Sequence, residues 1–316
     1  MKNSIKRNCL SVIGLLLSSI SIAQTTDDVI MMNKKQWCNG LTYTSSQWKE
    51  YWEGTFKRDN ANIGSITTQS LMFMSNYGIS NTVNIMAGIP YMVTKASAGT
   101  LHGQKGLQDV SLAVKWKALT IPFIKGKLSL FGVGEFSTPA TNYEADFLPL
   151  SIGLGTTNFS TKLISNYQKN YLNIRLSGAY VWRSNISIDR TSYYTTGIVY
   201  SNQVNIPDAA NFNLAIGLHK KYLLADAILY NMTTLGGFDM RKNDMPFPSN
   251  RMNSTGIGVN IKYTLPSNTH ISFVGVANYV LAGRNVGQAT SFTIGCFYAN
   301  SFIHKTKATN STSNKN

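Results

Sequence analysis

The chain has 316 residues, of which 43 % are apolar, 11 % aromatic and only 14 % charged. A charged share well below the roughly 25 % of soluble domains, replaced by Asn, Ser, Thr, Gly and Tyr, excludes a disordered or coiled-coil chain, and the length suits a single membrane barrel. Twenty-nine Lys and Arg against fourteen Asp and Glu leave a net charge of +15; without a concentrated basic block this excess points to acidic lipid head groups or anionic solutes and away from nucleic acid.

At the N-terminus, Lys2, Lys6 and Arg7 precede an apolar run from Leu10 to Ile22 that closes on Ser21-Ile22-Ala23. A basic region, a short apolar region and small residues before a cleavage point predict a signal peptide over 1–23, so the chain is expected to leave the cytoplasm and mature at Gln24. The run is too short for the about 20 apolar residues of a membrane helix. Cys9 lies inside it, a poor position for lipid attachment. No later stretch of 18 consecutive apolar residues occurs, which removes a helical membrane protein. Taking away the three basic residues leaves 29 − 3 = 26 against 14, a mature balance of +12.

From Gln36 onward, segments of strand composition alternate with clusters of Gly, Asn, Ser, Asp and Pro. Twelve are predicted, over 36–45, 62–77, 81–93, 107–119, 127–138, 150–165, 170–183, 210–219, 222–232, 253–264, 270–281 and 289–302. In 170–183 the residues Leu172, Ile174, Leu176, Tyr180 and Trp182 share one face while Asn173, Arg175 and Ser177 share the other, as the two-residue period of a strand requires. Segments 109–118 and 257–264 alternate in the same way. The face of 222–232 that holds Leu224, Ile228 and Tyr230 also holds Asp226, a costly neighbour for lipid, so that face is read as lumenal or the strand as bulged. Connections after even-numbered segments are short, and those after odd ones are longer, above all 94–106, 184–209 and 233–252. Tight periplasmic turns, long external loops and an even strand number predict a transmembrane antiparallel β-barrel of the outer-membrane type, barrel residues spanning 24–302, with both termini periplasmic. Aromatics near segment ends, among them Trp37, Tyr91, Trp116, Trp182 and Tyr279, suit the interfacial girdles.

The loop after the first segment packs Trp48, Tyr51, Trp52 and Phe56 among charges that include Glu53, Lys57, Arg58 and Asp59. Aromatic faces with orienting charges make it a candidate solute site at the pore mouth; the same residues also suit a rim anchor to lipid phosphates. Inward-facing candidates are Lys115, Lys117, Glu135, Arg175, Asp226, Asn260 and Lys262, which either line a solute path or pair across the lumen. No HExxH, CxxC, G-x-S-x-G or phosphate-loop spacing appears, and the four histidines read as solvated polar residues of turns, loop and tail. No catalytic residue, metal or cofactor is therefore expected. Cys38 and Cys296 fall in the first and last segments, where a disulfide needs matching register. Phe302 is a candidate terminal-strand aromatic, followed by a polar, basic tail over 303–316.

The run Tyr51-Trp52-Glu53-Gly54-Thr55, with Lys57-Arg58-Asp59-Asn60, Asn62-Ile63-Gly64, Thr67-Thr68-Gln69-Ser70, Tyr77-Gly78-Ile79, Ile89-Pro90-Tyr91, Gly99-Thr100-Leu101, Gly103-Gln104 and Gln108-Asp109, resembles a group of Bacteroidetes outer-membrane proteins. They belong to the transporter family named after the meta-cleavage pathway of phenol degradation, distantly similar to long-chain fatty-acid transporters. The resemblance implies an outer-membrane barrel that takes up hydrophobic or aromatic solutes, with no catalytic residue. The expected partners are outer-membrane lipid, a small-molecule solute and the barrel-assembly machinery. A partner-binding structural barrel and a lipid-modifying barrel enzyme are the alternatives.

Overall fold

The computed structural model describes residues 26–242 and 244–301; the expected signal peptide, Phe302 and the polar tail lie outside them. Twelve long strands form the wall: β1 (Gln36–Trp48), β2 (Ile66–Gly78), β3 (Val83–Ala96), β4 (Asp109–Phe123), β5 (Gly126–Pro139), β6 (Asn158–Lys169), β7 (Leu172–Arg183), β8 (Ala209–His219), β9 (Leu223–Thr234), β10 (Asn253–Thr264), β11 (Ile271–Arg284) and β12 (Thr290–Ser301). Each is antiparallel to its neighbours. Trp37 of β1 lies opposite Tyr77 of β2 on one side and Asn300 of β12 on the other, so the sheet closes on itself. Closure leaves no edge with unpaired backbone groups, the condition for strands in a medium that offers no hydrogen bonds. Among the described residues there is no helix.

The alternation read from the sequence decides which side is out. In β7, Leu176 is 57 % exposed whereas its neighbour Arg175 is 6 % exposed. In β4, Leu112, Val114 and Trp116 are exposed while Lys115 is fully buried. Large apolar side chains outside and ionic ones inside reverse the order of a soluble domain and match a barrel immersed in lipid. In β9 the buried Asp226 turns inward with Leu224, Ile228 and Tyr230, so the ambiguous face is the lumenal one.

Short turns cluster at one rim and long loops at the other. Between β4 and β5 only Ile124 and Lys125 intervene, both with positive φ (40° and 61°), the two-residue type I′ geometry whose twist suits a hairpin. The turn expected over 120–126 is thus shorter, and both strands run further. The sixth strand is displaced from 150–165 to Asn158–Lys169. Leu150, Ile152 and Leu154 alternate as a strand would, but Leu150 is wholly buried against Ile63 and Ile66 in the loop-side mouth. Burial among loops overrode the local pattern there.

Candidate functional site: an occluded lumen

The chain ahead of β1 turns into the barrel. Lys35 donates its backbone N–H to the carbonyl of Gly78 at the turn-side rim (2.8 Å). Met32 packs with Cys38, Phe297 and Ala299 on the inner wall, and Val29 and Met31 pack against Met86, Ala113, Phe131, Val133 and Ile164. Further in, the Lys115 ammonium donates to both the Asp28 carbonyl (2.9 Å) and its carboxylate (3.0 Å), and Lys162 pairs with Asp27. Residues 26–35 therefore fill the turn-side half of the lumen, apolar contacts at the rim giving way to ion pairs in the interior. A fully buried lysine needs such partners, because an unpaired buried charge is far costlier than a paired one.

The seven inward candidates all project into this lumen, though they do different things. Lys115 holds the N-terminal segment. Arg175 approaches Asp226 (3.6 Å), whose other oxygen meets His219 Nε2 at 2.8 Å; Asn260 lies opposite Asp226 in the β9–β10 register. His219 is accordingly a buried partner of a carboxylate and not the solvated turn residue expected. Lys262, on β10, is buried and Lys117, on β4, is half-buried, both on the lumenal face. Glu135 is the one candidate that lines both lumenal cavities described below.

At the other rim the loops fold over the opening. Leu150, with Phe147 and Leu101, sits on Ile66 at the loop end of β2. Ile186, Val204 and Ile206 of the 184–208 loop pack on Ala145. Between this cap and the N-terminal segment lie two cavities. One, of about 300 Å³, is polar, walled by Asp109, Glu135, Asn158, Lys162, Arg183 and Asn211. The other, of about 230 Å³, is walled by Cys38, Met72, Met74, Met86 and Phe297, with Asp27 and Glu135 at its border.

The aromatic and charged loop after β1 forms a hairpin, Glu50–Glu53 against Phe56–Asp59. Its charges pair internally: Arg58 with Glu53 (2.6 Å), Lys57 with Glu50 (2.6 Å) and Lys49 with Asp59 (3.6 Å). Trp52 is buried, its backbone N–H donating to the Val286 carbonyl (2.9 Å), while Trp48 and Tyr51 face each other with ring centres 6.2 Å apart. The hairpin thus leans on the β11–β12 connection. That connection is clasped in turn by Arg284, which donates to Asp239 (2.7 Å) and holds its carboxyl down at about 2.

Cys38 faces the lumen, opposite Ala299, whereas Cys296 faces outward, opposite Leu41. One strand step reverses the face, so the two thiols stand on opposite sides of the wall and form no disulfide. Sequence reasoning missed Asp27, Asp28, Lys162 and the methionine wall. The Lys115–Asp28 contact spans 87 residues, and no local pattern marks a leader segment as returning to the lumen.

These features define a transmembrane β-barrel of the outer-membrane type, occluded from both ends. Among solved structures, the chain is similar to a COG4313 outer membrane channel from Pseudomonas putida F1, with 12 % identity and a TM-score of 0.67 over 89 % of this chain and all of that one. It also aligns with the NanC porin (9 % identity, TM-score 0.45, 81 % and 98 % of the two chains). A third alignment is with a Pseudomonas aeruginosa FadL homologue (10 %, 0.37, 84 % and 90 %). The first likeness shows a shared fold. Neither a family model nor a curated protein sequence matches the chain.

Proposed function

We propose that this protein is an outer-membrane channel or transporter for passive uptake of a small hydrophobic or aromatic solute. In this reading a signal peptide over 1–23 exports it, the barrel-assembly machinery inserts it, and its membership of the phenol-pathway transporter group follows from the residues it shares with that group. The observation that carries the reading is the pair of adjoining cavities between the loop cap and the N-terminal segment. An engineered apolar cavity of about 150 Å³ already accepts benzene, so the methionine-lined space, about 230 Å³, holds an aromatic ring. The adjoining polar space, with Lys162 and Arg183, receives polar substituents on that ring. Solute passage then requires the segment or the cap to yield, and the Lys115–Asp28 and Lys162–Asp27 pairs are the contacts that hold the segment in place.

Benzenesulfonate tests this directly, because its permanent charge makes the bilayer itself a slow route. Vesicles containing the protein should take up labelled benzenesulfonate faster than protein-free vesicles, and planar bilayers should show discrete conductance. Absence of both would overturn the channel reading in favour of a closed barrel whose loops serve a partner.

A further inference from the structure

We propose that the sulfur-lined lumenal cavity binds a soft monovalent metal cation of the Cu(I) or Ag(I) type, through the thioethers of Met72, Met74 and Met86 with the Cys38 thiol on the same wall. The first observation is a segregation of side chains across β1–β3. Their outward apolar residues, such as Leu41, Leu71, Phe73, Ile85 and Tyr91, contain no sulfur. On the inward face of the membrane-depth stretch, the long apolar positions are methionines. Leucine has nearly the same volume and would pack there at little cost, so space filling alone does not select thioethers on one face and exclude them from the other.

The register brings these sulfurs together. Asn76 lies opposite both Cys38 and Met86, and Met74 lies opposite both Gly40 and Gly88. Met74 therefore sits one step along β2 from the row that holds Cys38 and Met86, with Met72 one step further on the same face. Adjacent strands are about 4.8 Å apart, within reach of unbranched side chains with three rotatable bonds. The two glycines let neighbouring side chains lie directly against the wall. A Cβ on Gly88 would come within 2.6 Å of the Met72 methyl, and one on Gly40 would collide with the Phe297 ring. All four sulfur residues line the same cavity of about 230 Å³, which Asp27 and Glu135 border with carboxylates. Met31 and Met32 of the N-terminal segment pack against its neighbours from the lumen side.

Thioethers are neutral, polarizable donors that suit Cu(I) and discriminate against the hard cations that take oxygen ligands. Binding through them releases no proton and transfers no electron; of the two bordering carboxylates Asp27 is paired with Lys162, and Glu135 is the one that faces the charge of the cation. The proposal goes beyond uptake of an aromatic solute, and the two are read by separate measurements on the protein with its methionines intact, Ag(I) binding in one and solute uptake in the other.

The probe is Ag(I), which is stable in air, titrated into full-length Cys296→Ser protein in detergent so that the outward thiol cannot compete. Native mass spectrometry and calorimetry should find one Ag(I) per chain. The triple variant Met72→Leu, Met74→Leu, Met86→Leu should lose affinity by at least about 10-fold, the loss that even outer-shell changes produce at metal sites, while keeping its folded gel migration. Single Met→Leu variants, each expected to weaken binding, serve if the triple variant does not fold. No Ag(I) bound, affinity unchanged in the leucine variants, or binding that survives them and disappears with Cys38→Ser would each overturn the proposal. Ag(I) binding without solute uptake by the protein with its methionines intact leaves the metal site standing, and uptake without Ag(I) binding leaves the channel reading standing.

Discussion

Adjacent residues in this wall live in different solvents, and that governs what a substitution does. Leu176 is 57 % exposed on the outer face, in the middle of a twelve-residue strand. Leu176→Arg places a guanidinium near the bilayer midplane and should destabilise the barrel by about 2–4 kcal/mol, whereas Trp182→Arg, near the loop end of the same strand and face, should cost about 0–1 kcal/mol. Reversible urea unfolding in lipid vesicles measures both, and equal costs at the two positions would show that the outer face is not immersed as described. Arg175, one step away, answers to a different rule. It is buried beside Asp226, which also holds His219, so its removal leaves a lumenal carboxylate short of a partner and acts on the interior, not on the lipid contact.

The elements differ in how they are held, and so in how legible they are. Eleven of the strands lie close to their expected positions because alternation is imposed locally, residue by residue, by lipid on one side and a polar lumen on the other. The sixth was misplaced because Leu150, Ile152 and Leu154 mimic that alternation while their burial comes from loops far along the chain. Residues 26–35 were illegible for the same physical reason: a stretch with two aspartates and two methionines carries no period, and its place is set by Lys115 and Lys162 across the lumen. Lys115 could be recognised as inward-facing, but not as a partner of this segment, and Lys162 was not recognised at all. It contributes no strand to the wall, so refolded protein lacking residues 26–34 should keep its barrel and its gel mobility. Its single-channel conductance should rise several-fold over the full chain. Identical conductance would mean that the loop cap alone limits passage.

For the molecule as a whole, the two rims are built to different standards, and this asymmetry predicts its orientation. The turn-side rim is tight: β4 and β5 are joined by two residues in the left-handed region, and the N-terminal segment enters there, anchored at Gly78. The opposite rim carries hairpins and loops that pack on one another through Trp52, Ile186, Val204 and Leu150. Closed barrels of the outer-membrane type place short turns on the periplasmic side and long loops outside. Tyr200, 84 % exposed at the tip of the 184–208 loop, is thus expected outside the cell, and Lys221, in the short connection between β8 and β9, on the periplasmic side. In intact cells, a membrane-impermeant maleimide should label Tyr200→Cys and spare Lys221→Cys, with both labelled after the outer membrane is permeabilised. Cys38 and Cys296 need no removal for this comparison, because one is buried in the lumen and the other faces lipid; the unsubstituted protein supplies the baseline. Labelling of Lys221→Cys alone in intact cells would invert the barrel, and with it the side from which a solute meets the N-terminal segment.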